Sequence, residues 1–465
     1  MIAARAAAAI DQISRDNSCT ENDEAKPVLG LAFFFNMSRN KPKFEKSLLD
    51  NGMVLVTECL PQFQSLSIGV WVNAGTRHEG KGEEGMSHFL EHMMFKGTQR
   101  RTALDIAREV DRVGGEFNAF TSREYTCFHL LLLARDIDLA ADIMTDVLLS
   151  SELAADEIER ERKVILQEIS MVEDNPEELI HDLFFEHAFG GHPLGKPILG
   201  TRETISKFDR ELVYSYFRRH YSPSQMVVSV AGDIEHAKVK KLFNKYLKKG
   251  LKTSSVSHRK TNMHRPTLNS GLQSVKRDLE QAHVVVGFPA VNNDSADRFA
   301  AFLLNTYLGG GMSSTLFQEI REKRGLAYTV YSALTPFSDS GLFTVYVATA
   351  PKEVKTCLEV MSQEMANLRD KKLEKKNVQI LKDNLRGTIL LNSDSVESRM
   401  SSIAKNEMFF GRYVSMDEVT RSIDKVSAED IRRLARQLFK PQQTIVSVLG
   451  PKRYPTLAQT VSKNL

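Results

Sequence analysis

Between Gly85 and Thr98 the chain reads GMSHFLEHMMFKGT, which sets two imidazoles and a carboxylate, His88, Glu91 and His92, within five positions. A helix turns 100° per residue, so His88 and His92 fall within about 40° of each other, one turn apart, with Glu91 slightly off their line. Two histidines so placed can hold one cation. Met86, Phe89, Leu90, Met93, Met94 and Phe95 give the helix an apolar wrap, and Gly85 and Gly97 punctuate its ends. Two histidines and a carboxylate among such neighbours are costly unless they are paired or bound to metal. The stretch HDLFFEH, 181–187, serves as a control. His181 and His187 lie about 240° apart round a helix, cannot converge, and read as ordinary helix-surface residues.

A catalytic zinc takes three protein ligands and leaves a position for water, so this helix needs a further partner. The acidic stretch AADEIERERKVILQEISMVEDNPEEL, 154–179, is the obvious source. Glu161 and Glu168 lie seven apart, within about 20° of one face, so one can ligate while the other orients a ligand from behind. Spacing does not say which does which. Glu157 and Glu159 read as solvated charges, whereas Glu168, after VIL, reads as a residue on its way into the core.

These helices need a scaffold, and the chain describes one twice. HYSPSQMVVSVAG (220–232) is answered by LFKPQQTIVSVLG (438–450): an aromatic, a nearby proline, then a β-branched run closing on glycine. SLSIGVWVNAG (65–75) is answered by QAHVVVGFPAV (281–291) as an apolar strand and turn. The segments 120–148 and 332–365 share an alternating strand, a charged or proline turn and an amphipathic helix. KKGLKTSSVSHRKTNMHRPTLNSG, 248–271, is polar, basic and aperiodic, as a linker is. The expected fold is α+β: two homologous α/β domains, 43–247 and 272–465, each a mixed sheet covered by helices.

The bulk numbers fit that plan. A length of 465 residues suits two or three compact units, and 42% hydrophobic with 26% charged residues is ordinary for a globular chain. A net charge of +3 makes no case for nucleic acid, and no apolar run approaches the roughly 18 residues of a membrane span. Cys19, Cys59, Cys127 and Cys357 are too scattered for a zinc ribbon or disulfide framework. The start, MIAARAAAAI, looks superficially like a mitochondrial transit peptide, but Asp11, Asp16, Glu21, Asp23 and Glu24 are out of character for one. Residues 1–42 therefore read as a disordered leader, with Met37 an alternative initiator.

On HxxEH, the acidic segment ERKVILQEI downstream and the two-half layout, the chain resembles the pitrilysin-type, inverted-zincin zinc peptidases from about residue 43 to its end. The similarity is to the branch holding the mitochondrial processing peptidase β subunit and its short bacterial relatives. The resemblance implies a zinc-dependent endopeptidase acting on extended peptides in a clamshell chamber, with the first domain catalytic and the second inactive but completing the site. It makes His88, His92 and Glu168 the ligands of Zn2+, Glu161 the acid behind them, and Glu91 the general base. It also puts substrate along the strand at Asn118 and Ala119 and gives Phe95 to the pocket after the scissile bond. Glu178 and Asp182 would read a substrate arginine, and Arg321 and Tyr328 would reach the substrate carbonyl and the oxyanion.

The glycine loop LGGGMSS, from 308, lacks the GKS or GKT of a phosphate loop and is much shorter than the loop of the noncatalytic processing-peptidase subunit. A homodimer is expected, with a heterodimer possible. The implied setting is the bacterial cytoplasm, or alternatively the mitochondrial matrix. The rival readings are a structural subunit, like the core proteins of the cytochrome bc complex that share this fold, and a peptide-binding partner without turnover.

Overall fold

The structure, a computed structural model, describes residues 42–247 and 264–465. The leader expected over 1–42, apart from Pro42, and linker residues 248–263 lie outside the described residues. The described residues fall in one compact unit.

Six strands form the first sheet: β1 (Lys43–Leu48), β2 (Val54–Cys59), β3 (Ser65–Val72), β4 (Glu116–Thr121), β5 (Thr126–Leu133) and β6 (Met226–Gly232). Their spatial order is β1-β2-β6-β3-β5-β4. The second sheet contains β7 (Gly271–Lys276), β8 (Ala282–Pro289), β9 (Ala327–Pro336), β10 (Gly341–Thr349) and β11 (Ile445–Gly450), in the order β7-β11-β8-β10-β9. Apart from β1, the two orders are the same. In each half one pair is parallel, β2 with β6 and β7 with β11, and the other neighbours run antiparallel, β1 with β2 included. The matching sequence segments thus occupy matching places: β6 and β11, β3 and β8, and the β4–β5 and β9–β10 hairpins. The central strands are buried on both faces, which is why they read as continuous Val, Ile and Leu.

Four helices concern the site and the contact between halves. Helix α1 (Met86–Met93) carries the histidines and packs on α2 (Ala155–Asp174). Helix α3 (Pro176–Phe189) starts at Pro176, directly after the Asn175 cap whose side chain accepts from Glu177 N. Instead of covering its own sheet, α3 lays Ile180, Phe184 and Ala188 on the second sheet against Val285, Leu342 and Tyr346. In return α4 (Val396–Phe410) from the second half lays Val396, Met400 and Ala404 on the first sheet against Trp71 and Ala231. Each half lends the other a helix.

That exchange corrects the expectation for His181 and His187. Both face the second sheet: His181 Nε2 is 2.9 Å from the Tyr331 hydroxyl, and His187 Nδ1 is 3.2 Å from Ser447 Oγ. A helix covered by another half of the molecule has less free surface than its own polar pattern suggests. Two buried ion groups reinforce the contact. Arg399 Nε donates to Glu58 Oε2 at 2.7 Å, and the Tyr413 hydroxyl donates to Glu58 Oε1 at 2.9 Å. Arg77 joins Glu124 of the first half to Asp339 of the β9–β10 turn.

Candidate metal centre

Helix α1 begins in a tight corner. Gly85 caps it with φ 93°, where a Cβ would stand 2.6 Å from the Leu199 carbonyl, so the entry accepts only glycine without strain. Buried Glu79 accepts the Gly85 and Ser87 amides at 2.9 and 2.8 Å, satisfying donors that the first turn leaves free. Met86, Phe89, Leu90 and Met93 fill the core. His88, Glu91 and His92 consequently face the other way, towards α2 and β4.

The two imidazoles stand with ring centroids 4.6 Å apart. On α2 the buried positions Ile158, Glu161, Ile165 and Ile169 form one stripe, and Glu168 lies beside it. His88 Nε2 and His92 Nε2 are each 3.8 Å from Glu168 Oε2, and one ligand atom from each of the three residues lies within 4.8 Å of the others. Those separations are too long for hydrogen bonds, and buried Glu168 Oε2 has no hydrogen-bond partner. Nitrogens and oxygens bound to one zinc at about 2.0–2.2 Å in tetrahedral geometry stand roughly 3.4 Å apart. Three donors that converge without bonding one another fit a shared cation.

Glu161, not Glu168, is the buried acid, at 4% exposure. Its Oε2 accepts His92 Nδ1–H at 2.9 Å, and its Oε1 pairs with Lys96 Nζ at 2.6 Å. The bond to Nδ1 leaves His92 Nε2 as a lone pair directed at the cluster. Burial works against ionised Glu161, but the bonds to His92 and Lys96 outweigh it and hold the carboxyl below its ordinary value. Burial would lower His92, yet Glu161 and the neighbouring carboxylates raise it. His88 has no such acid behind it, so burial, helped by His92, pushes it down to about 3 and keeps it a neutral donor.

Glu91 is raised by burial and restrained by a hydrogen bond from Thr121 Oγ1, at the end of β4. Strand β4 is one of the two edges of its sheet among the described residues and carries Asn118, whose Oδ1 accepts the Ala119 amide at 2.8 Å. Phe95 packs at a tilt of 50° against Phe117, with ring centroids 4.6 Å apart, and together with Ile106 and Val110 they line a cleft of ≈ 330 Å³.

Other residues suggested by the sequence are not gathered here. Asp182 Oδ1 lies 3.5 Å from Arg123 Nη2, so an internal guanidinium already faces it, while Glu178 is exposed and has no ion-pair partner among the described residues. Arg321 stacks on Tyr328, 4.4 Å from the ring centroid, and bonds the Tyr328 carbonyl. Its contacts with Phe317 and Glu322 also stay in the second half, and Tyr328 is 75% exposed. Neither residue meets the histidine cluster. Sequence reasoning missed Thr121, Lys96 and Glu79; only Lys96, one turn beyond His92 on the same face, offered a spacing signal.

Comparison with known proteins agrees with this architecture. Residues 54–202 match the family described as Insulinase (Peptidase family M16), and residues 207–385 match the Peptidase M16 inactive domain. A protein of Mycobacterium leprae named an uncharacterized zinc protease is 42% identical over 412 residues, covering 87% of this chain and 91% of that protein. The Bacillus subtilis zinc protease YmxG, also named uncharacterized, is 37% identical over 409 residues, covering 87% and 98%. A Helicobacter pylori protease shares the fold with a TM-score of 0.82 at 22% identity, covering 88% of this chain and all of that one. With relatives this similar matched over nearly their whole length, the chain belongs to the insulinase family of peptidases, Peptidase family M16.

Proposed function

We propose that this protein is a zinc-dependent endopeptidase cutting extended peptides. The observation that carries the reading is the convergence of His88 Nε2, His92 Nε2 and Glu168 Oε2 beside a carboxylate, Glu91, that stands outside this group. The zinc protease names of the similar bacterial proteins support the same metal. His88, His92 and Glu168 would hold the zinc, which when bound polarises a carbonyl and lowers the pKa of water from 15.7 towards about 7.

The chain's own groups do the rest. Glu161 fixes His92 in the tautomer that presents Nε2 to the cluster. Glu91 takes a proton from the attacking water on its carboxylate and returns it to the leaving amine. The open edge of β4 accepts the peptide as an added strand, and the Phe95 cleft receives an apolar side chain. We further assign the exposed Arg321–Tyr328 pair to the site of a second copy, since among the described residues of its own chain it meets only its own half. This makes the working unit a homodimer.

Elemental analysis tests the metal: about one zinc per chain is expected, falling to a small fraction in His88→Ala. Cleavage of a mixed peptide library tests the chemistry, with Glu91→Gln expected to keep zinc and bind peptide while cutting nothing. Zinc-free wild type, or turnover undiminished in Glu91→Gln, overturns the proposal. Peptide binding without any wild-type cleavage points instead to a binding subunit.

A further inference from the structure

The contact between Glu91 and β4 extends the proposed function and rests on it. Thr121 is the last residue of the edge strand, thirty positions from Glu91 in sequence, and its hydroxyl donates to Glu91 Oε2. Among the described residues no hydrogen bond engages Glu91 Oε1. On its other side Thr121 Oγ1 lies 3.3 Å from Thr126 Oγ1, across a paired position of the β4–β5 hairpin. The buried Thr126 hydroxyl donates in turn to the Ala74 carbonyl at 2.9 Å. The base is thus held at one oxygen by the strand on which substrate would lie.

We infer that Thr121 is a positioning residue for the general base: it pins Oε2 of Glu91 so that Oε1 is presented to the water, and it ties that orientation to the edge strand. A hydroxyl suits both states of the base. Towards the carboxylate it donates; once Glu91 has taken the water's proton on Oε1, Oε2 is the carbonyl oxygen of the acid and still accepts the Thr121 proton, so the Oε1–H stays turned towards the leaving amine. The Thr126 proton remains on Ala74, so every donor keeps an acceptor throughout. A methyl group in the same place donates to neither.

Thr121→Val keeps the shape and strand preference and removes only the hydroxyl, whereas Thr121→Ser keeps the hydroxyl. With wild-type chain and a cleaved peptide, Thr121→Val is expected to lower kcat by roughly tenfold or more, part of the 10²–10⁴ that general-base catalysis contributes. KM and the zinc affinity of the metal-free chain stay within about twofold, because no ligand is touched. Thr121→Ser is expected to restore kcat. A crystal structure of Thr121→Val is expected to show the Glu91 carboxylate turned or spread over several positions with the zinc ligands unmoved. Unchanged kcat in Thr121→Val overturns the inference, and so does equal loss in Val and Ser, or loss of zinc with kcat, because each assigns Thr121 to packing. If Glu91→Gln cuts as well as wild type, the proposed function itself fails and this inference with it. If Glu91→Gln is dead and Thr121→Val is not, only the inference fails.

Discussion

At the scale of single residues, the centre is a balance between burial and pairing. Glu161 can be buried because His92 and Lys96 take both its oxygens, and this bonding gives His92 its tautomer. Outer partners of this kind typically account for about 10–100-fold in metal affinity. Glu161→Ala is therefore expected to weaken zinc binding by roughly that factor, with peptide cleavage recovered at raised zinc. Competition against a chelator measures it, and an affinity equal to that of wild type would remove Glu161 from the role. Lys96→Met is expected to move affinity the same way by less, because His92 still holds one oxygen of the acid.

At the scale of elements, α3 shows how tightly the lent helices sit. A Cβ on Gly287 of β8 would fall 2.2 Å from the Phe184 ring, so this glycine is the space into which α3 settles. Gly287→Ala is expected to cost about 1–3 kcal/mol, as overpacking of a well-filled interior does, read as a lower denaturant midpoint at an unchanged slope. The same interface has a pH dependence. Burial pushes His181 down to about 4 from 6.5, so below pH 6.5 the unfolded chain takes up a proton that the folded chain refuses. Stability contributed by neutral His181 is complete above 6.5 and falls as the pH drops towards 4. His181→Gln is expected to flatten part of that decline in parallel denaturation series; identical slopes in the two proteins exclude His181 as its source.

These elements also show what a sequence can carry. The face shared by His88 and His92, the β6 and β11 runs and the two hairpins are local patterns, so periodicity alone displays them. The choice between Glu161 and Glu168 turns on a few tens of degrees round one helix and on what packs against it, beyond the resolution of spacing. Thr121 meeting Glu91, and α3 facing another sheet, are contacts between distant segments that leave no trace in either segment's own pattern. For that reason His181 and His187 looked like surface residues.

At the scale of the whole molecule, an ion pair across the halves and a cation–ring pair within the second half have opposite characters. The Arg399–Glu58 pair is sealed, with side chains 8% and 0% exposed, and truncating one partner leaves the other charge buried alone. Arg399→Ala is accordingly expected to destabilise the chain by about 3–5 kcal/mol, measured as a fall in Tm. The Arg321–Tyr328 pair is open instead, and a guanidinium stacked on a ring at 75% exposure has surface to offer another molecule. If a second copy uses it, Glu91→Gln and Arg321→Ala damage different halves of one composite site. Each variant alone is expected to be nearly inactive. Mixed after dissociation, half the dimers pair unlike chains, and one site in each such dimer joins an intact base to an intact arginine, restoring about a quarter of wild-type turnover. Chains that exchange freely yet recover nothing would show that Arg321 serves only the chain that carries it.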